Sequence, residues 1–154
     1  MKRLVWSAAL GMAACATVPV IPGTTVADTQ QNRTVIDVCE KYRQALEQRD
    51  APTLLLLASP RYYEDSGTPK AQDDYGYEGL KKVLATRLEG LRTVRYTIDY
   101  RAVEVSGIRA HVDIRYDASY QLATELGERW ERKQSDKRLE LEYDRGRWLF
   151  TAGM

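Results

Sequence analysis

The spacing of apolar residues changes at Leu91, and this change constrains the fold more than any other feature of the chain. Before Leu91, apolar side chains recur every three or four residues, as they do along one face of a helix. After it they alternate with polar ones, as in Val94, Tyr96 and Ile98. Helices followed by half-buried strands predict an α+β domain.

The first half predicts three helices. Thr34 can cap the first, whose apolar face runs over 35–46. Asp50 can cap a second, short helix, and the almost uniformly apolar stretch 53–58 predicts that this helix is buried. The third is predicted over 77–89.

The second half predicts one antiparallel sheet that curves. The apolar alternation changes parity at Val103, and since a one-residue slip turns every side chain over, we expect a bulge near Ala102. A return strand follows over 108–122, and the charged stretch 128–134 is typical of an exposed or edge strand. After a hairpin turn at 144–146, a last strand closes a cone with an open mouth.

The N-terminus has the layout of a secretory signal peptide. Lys2 and Arg3 precede an apolar run over 4–10, which is far shorter than the roughly 20 residues needed to span a bilayer. Ala13-Ala14-Cys15 then resembles the lipobox of bacterial lipoproteins, although Met12 departs from the usual Leu. The resemblance implies lipidation of Cys15, and Ala16 implies an outer-membrane location facing the periplasm.

These segments predict a domain organisation of signal peptide over 1–14, lipidated Cys and flexible tether over 15–33, and folded domain over 34–154. Prolines and glycine without an apolar period favour a tether over a strand in the second segment. If Cys15 carries lipid, Cys39 has no disulfide partner, and we expect a small buried apolar residue on a helix.

Composition restricts the classes of partner. The formal net charge is +1 with both signs interspersed, which excludes the one-sided basic surface that nucleic acid requires. No residue cluster has metal-ligand spacing and no glycine-rich loop has a phosphate-binding context, so we expect no cofactor. Ten tyrosines against one phenylalanine suit half-wet pocket walls.

Several short motifs in a fixed order carry a family resemblance. They are Tyr42–Asp50, Leu54–Ala58, Tyr63-Glu64-Asp65, Gly76 with Leu80, and Asp144–Trp148. Together they resemble the nuclear-transport-factor-2-like (NTF2-like) superfamily, which includes ketosteroid isomerases and SnoaL-type cyclases. The resemblance implies an α+β NTF2-like cone, with three N-terminal helices packed against one strongly curved antiparallel sheet. That scaffold hosts many functions, so it does not fix this one.

Two residues correspond to catalytic positions of ketosteroid isomerase. By resemblance, Tyr42 is the oxyanion donor and Asp65 the proton-transferring base, roles that suit a buried phenol and a carboxylate in an apolar site. The second oxyanion donor of that family falls near the apolar Leu139, and alternation directs Glu140 to the other face. From the residues alone, Tyr42 is a core ring and Asp65 a turn residue.

The sequence therefore leaves two functions open. The first is a membrane-anchored lipoprotein of the cell envelope with a non-catalytic module that binds a small apolar ligand or an envelope protein, or forms a homodimer through the outer sheet face. The alternative is an isomerase or cyclase that uses Asp65 and Tyr42. We expect the pocket lining to include Tyr63, Tyr96, Tyr116 and Trp148.

Overall fold

A computed structural model describes residues 18–65, 73–124 and 127–154, and these residues form three helices, a two-stranded sheet and a four-stranded sheet. In chain order the elements are α1 (Gln30–Gln48), α2 (Ala51–Leu57), β1 (Tyr63–Glu64), β2 (Tyr75–Gly76), α3 (Tyr77–Glu89), β3 (Leu91–Ser106), β4 (Arg109–Thr124), β5 (Gly127–Asp144) and β6 (Arg147–Ala152). The predicted signal peptide and Cys15 lie outside the described residues. None of the helices described is long and apolar enough to cross a membrane.

The helix caps confirm one prediction and correct another. The Asp50 carboxylate accepts a bond from the Thr53 N–H, as expected for the start of α2. The cap of α1, however, is Thr29 rather than Thr34, because the Thr29 hydroxyl accepts from the Asn32 N–H. The prediction that α2 is buried holds in part, since Leu54 is fully buried but Leu56 is exposed.

Residues before α1 belong to the folded part of the chain. Val26 is buried in the core, and the Ile21 N–H donates to its carbonyl at 2.9 Å. The Thr25 hydroxyl donates to the carbonyl of Arg101 on β3 at 2.8 Å. The predicted tether over 15–33 therefore overlaps packed structure, because these short contacts fix the chain despite its prolines.

The four long strands lie in the order β3-β4-β5-β6, each antiparallel to its neighbour. The register of β3 against β4 shifts between Tyr100 and Ala102, which confirms the predicted bulge. Arg145 and Gly146 both have positive φ angles of 48° and 86°, as a two-residue hairpin turn requires. The stretch 128–134 is exposed and pairs only with β4, so it is an edge, as predicted.

The concave face of this sheet packs on the helices and confirms the α+β NTF2-like cone. Buried Val35, Cys39 and Tyr42 on α1 share one core with the inner residues of β3, β4 and β6. Cys39 is a free thiol, and its burial raises its pKa far above the ordinary range, so it stays protonated and apolar.

A buried polar cluster joins the end of α2 to the sheet. Ser59 is fully buried, and its hydroxyl donates to the Glu142 carboxylate at 2.5 Å. Arg61 donates two side-chain N–H groups to the same carboxylate, with its Nη2 2.6 Å from Oε2. The Ser59 N–H bonds the Phe150 carbonyl at 2.8 Å. These bonds fix the segment that leads into β1, which lies beside the mouth of the cone.

Candidate functional site

A cavity of about 310 Å³ opens between α3 and the concave face of the sheet. It is lined by an apolar group (Leu46, Leu80, Val83, Leu84, Leu88, Leu91, Leu122, Met154), a tyrosine group (Tyr42, Tyr75, Tyr96, Tyr116, Tyr120) and a charged group (Arg87, Glu131, Lys133, Lys137). This mixture, mostly apolar with a few converging polar groups, is typical of a small-molecule site.

Three tyrosine rings form the inner wall of the cavity. Tyr96 and Tyr116 stack with centroids 5.2 Å apart, and Tyr42 meets Tyr96 edge-on at 6.2 Å. Burial raises the pKa of both Tyr42 and Tyr96 well above the ordinary range of a phenol, so both hydroxyls are neutral at physiological pH. The wall offers flat apolar surface together with hydroxyl groups.

The alternation of β5 supplies the charged side of the cavity. Leu141 and Leu139 are buried on the concave face, opposite Ala110 and Val112 of β4. Counting on by twos from them reaches Lys137, then Ser135, Lys133 and Glu131 on the same face. The inner face of β5 thus changes from apolar to cationic at the position where the cavity begins.

Lys137 is the innermost of these cations. It is half-buried, and burial lowers its pKa from 10.5 to about 8. The charges of Arg87 and Lys133 lower this pKa further, whereas Glu64 raises it. At neutral pH the ammonium is therefore still charged, but it is poorly solvated.

Glu64 of β1 is held close to the cavity. Its carboxylate accepts the Tyr62 hydroxyl at 2.7 Å and the Gly153 N–H at 2.8 Å. The Tyr62 hydroxyl in turn accepts the Met154 N–H at 3.1 Å. These bonds attach the C-terminus, and with it the cavity-lining Met154, to the segment that follows α2.

The predicted catalytic pair is not brought together. Tyr42 is buried and lines the cavity, whereas Asp65 is exposed and is not among the lining residues. Around β1, Tyr62 is buried and Glu64 half-buried, whereas Tyr63 and Asp65 are exposed. Leu139, at the position of the second oxyanion donor, is fully buried.

Of the four residues predicted to line the pocket, two line the cavity and two do not. Tyr96 and Tyr116 line the cavity. Tyr63 does not: it is 54% exposed and its hydroxyl donates to Asp74 at 2.8 Å. Trp148 lines a different, shallow depression beside α1, where it packs edge-on against Tyr143 at 5.3 Å. Trp148 shares the core face of β6 with Phe150, but it lies at the end of the sheet near the start of α1, away from the cavity.

The cations Arg87, Lys133 and Lys137 are the site residues that the motifs did not indicate. The sequence signal for the two lysines is their parity with Leu139 and Leu141, provided that 127–144 is treated as one continuous strand. Arg87 lies one turn after Leu84 and Val83 on α3 and contacts the Tyr75 hydroxyl. Within the described residues, no group of three His, Cys, Asp or Glu side chains could hold a metal ion.

Comparisons with known proteins agree on the fold. No protein-family model matches the chain, and no curated protein matches it. Solved structures, in contrast, match the chain in fold. A conserved protein of Planctomyces limnophilus superposes with a TM-score of 0.68 at 10% identity, over 80% of this chain and 92% of that one.

Two further structures are described as enzymes. A protein of Streptomyces avermitilis, described as a dehydratase from the NTF2-like family, has a TM-score of 0.66 at 14% identity over 79% of this chain and 92% of its own. A Novosphingobium aromaticivorans protein described as a scytalone dehydratase has a TM-score of 0.64 at 17% identity, covering 80% of each chain. At these identities the likeness shows the NTF2-like fold alone.

Proposed function

We propose that this protein is a lipoprotein of the bacterial cell envelope whose NTF2-like domain binds a small, largely apolar ligand without transforming it. The observation that carries the proposal is the cavity of about 310 Å³, which is walled by leucines and neutral tyrosines and open at one end. A lipid at Cys15 would hold the domain close to the membrane surface, with a short linker before the packed residues at 20–27.

The placement of the described carboxylates favours binding over catalysis. The isomerase alternative needs a carboxylate and the Tyr42 hydroxyl on one substrate, and Asp65 is exposed outside the lining. Glu131 lines the mouth but is exposed and paired with Arg129. Glu64 is engaged by the Tyr62 hydroxyl and the Gly153 N–H. None of these carboxylates stands opposite Tyr42 in the apolar part of the cavity.

Ligand binding is tested with the full chain carrying Cys15→Ser, which removes the predicted lipid. Phenylnaphthylamine, a neutral fluorescent aromatic, should bind at one site per chain and become brighter. Val83→Trp should abolish this binding, because Val83 lines the cavity and a larger ring would fill it. Thr86→Trp, on the exposed face of the same helix, is the matched control and should bind as before. Equal binding by both tryptophan variants would contradict the proposal.

The anchor is tested by fractionation of cells that express the chain. Cys15→Ser should move the protein from the membrane fraction to the soluble fraction, because the apolar run over 4–10 is too short to span a bilayer. Cys39→Ala changes the other cysteine, which is buried in the core, and should leave the protein on the membrane. Membrane attachment that survives Cys15→Ser would refute the lipoprotein assignment.

A further inference from the structure

The described lining of the cavity carries an excess of positive charge, with the cations Arg87, Lys133 and Lys137 against the single carboxylate of Glu131. Arg87 projects from α3, and Lys133 and Lys137 project from β5. Among the described residues, none of the three has an ion-pair partner. Elsewhere on the same strand the pattern is the opposite, since Arg132 pairs with Asp117 and Arg138 with Asp113.

The two faces of β5 therefore differ in how their charges are satisfied. On the outer face, arginines lie against aspartates of β4, and Arg138 bonds Asp113 at 2.7 Å and 2.8 Å. On the concave face, the partners of Lys137 and Lys133 across β4 are Ile114 and Ala118, which offer no acceptor. Arg87 and Lys133 are exposed to solvent, but Lys137 is half-buried, and an anion that enters the cavity would stabilise its ammonium beyond what Glu64 supplies.

We propose that the natural ligand is a small amphipathic anion, whose apolar body lies against the tyrosine wall and whose acidic group is bound by Lys137, Arg87 and Lys133. This inference rests on the proposed function and specifies the chemistry of its ligand. A carboxylate suits the site, because a guanidinium and two ammonium groups can donate to it from both sides of the mouth.

Two probes that differ by one charge test the inference. Anilinonaphthalene sulfonate and phenylnaphthylamine share the same ring system, and only the first carries an anionic group. Both are titrated into the full chain carrying Cys15→Ser, and fluorescence gives each dissociation constant. We expect the sulfonate to bind at least about tenfold more tightly, the effect of one charge-assisted hydrogen bond.

The variants assign this preference to Arg87 and Lys137. Arg87→Met and Lys137→Met should each reduce the affinity for the sulfonate, relative to that for the neutral probe, about tenfold. Lys137→Arg keeps the charge and should keep the preference. Lys82→Met makes the same charge change on the exposed face of α3 and should alter neither probe. If Lys137→Met does not fold, Arg87→Met and Lys137→Arg test the inference. The sulfonate preference should fall in Arg87→Met and persist in Lys137→Arg.

The outcomes separate this inference from the proposed function. Equal affinity of the wild-type chain for both probes, or a sulfonate preference that survives Arg87→Met and Lys137→Met, would overturn the anionic ligand while the binding function stands. Binding of neither probe would refute the ligand-binding function itself. Displacement of the bound sulfonate by decanoate but not by decanol would support recognition of a carboxylate, and equal displacement by both would contradict it.

Discussion

Replacing Lys137 by methionine should stabilise the empty domain at neutral pH. The ammonium is half-buried among apolar groups, and its pKa in the native state is about 8 against an ordinary 10.5. At about 1.4 kcal/mol per pH unit, holding the charged form in that position costs about 3 kcal/mol. Methionine keeps most of the apolar stem without the charge, so we expect the free energy of unfolding to rise by about 1–3 kcal/mol.

The gain should depend on pH with a definite sign. Below pH 8 the lysine is protonated in both the native and the unfolded chain, and its full destabilising effect is present. Between pH 8 and 10.5 the unfolded chain binds the proton more strongly, so the stability of the wild-type protein rises with pH relative to Lys137→Met. The charged groups that act on this ammonium are Glu64, Arg87 and Lys133, and all three are unchanged in the Lys137→Met variant.

Urea unfolding of the full chain carrying Cys15→Ser, followed by circular dichroism at about pH 7 and about pH 9.5, measures the difference. Tyrosine ionisation affects both proteins equally and cancels. The stability gap between Lys137→Met and the wild-type chain should shrink by about 2 kcal/mol at the higher pH. Lys82→Met, at an exposed position, should stay within about 0.5 kcal/mol throughout. A variant less stable at pH 7, or a gap that does not change with pH, would refute the reasoning.

Two further predictions concern the frame that holds the cavity. Ser59→Ala removes the hydroxyl that bonds Glu142 in the buried cluster, and it should lower the free energy of unfolding by about 1.5–3 kcal/mol. The control Ser135→Ala, at an exposed position, should change that free energy by less than about 0.5 kcal/mol. Urea unfolding measures both variants, and equal effects would contradict a buried bond. Gly153→Ala should destabilise the protein by about 2 kcal/mol or more, because Gly153 has a φ of +84° and the new Cβ would collide with the Arg138 carbonyl oxygen. Thermal unfolding measures this, and an unchanged Tm would show that the C-terminus is free to move.

The fold was predictable because the strongest signals were periodic. The change of spacing at Leu91 separated helices from strands, and the parity change at Val103 located the bulge that bends the sheet. The start of α1 was not predictable in this way. The residues at 30–33 are all polar, so no apolar repeat favours the Thr29 cap over Thr34.

The site was less predictable, because it depends on which face of each strand is concave. Tyr96 follows directly from the alternation of β3, and it lines the cavity as predicted. Asp65 lies at the end of a strand of only two residues, which is too short for alternation to show a face. Lys137 lies in a charged stretch typical of a solvated surface, and only the pairing of β5 with β4 turns it inward.

The charges on β5 give the clearest indication of where the function of this domain lies. A chain selected for stability alone would continue the buried series of Leu141 and Leu139 with a third apolar residue at 137. A lysine there lowers the stability of the empty cone and repels its neighbours Lys133 and Arg87. Local choices that oppose the fold are expected at functional sites. Because an anion in the cavity would remove both penalties, the same residue that weakens the free domain would couple its stability to its ligand.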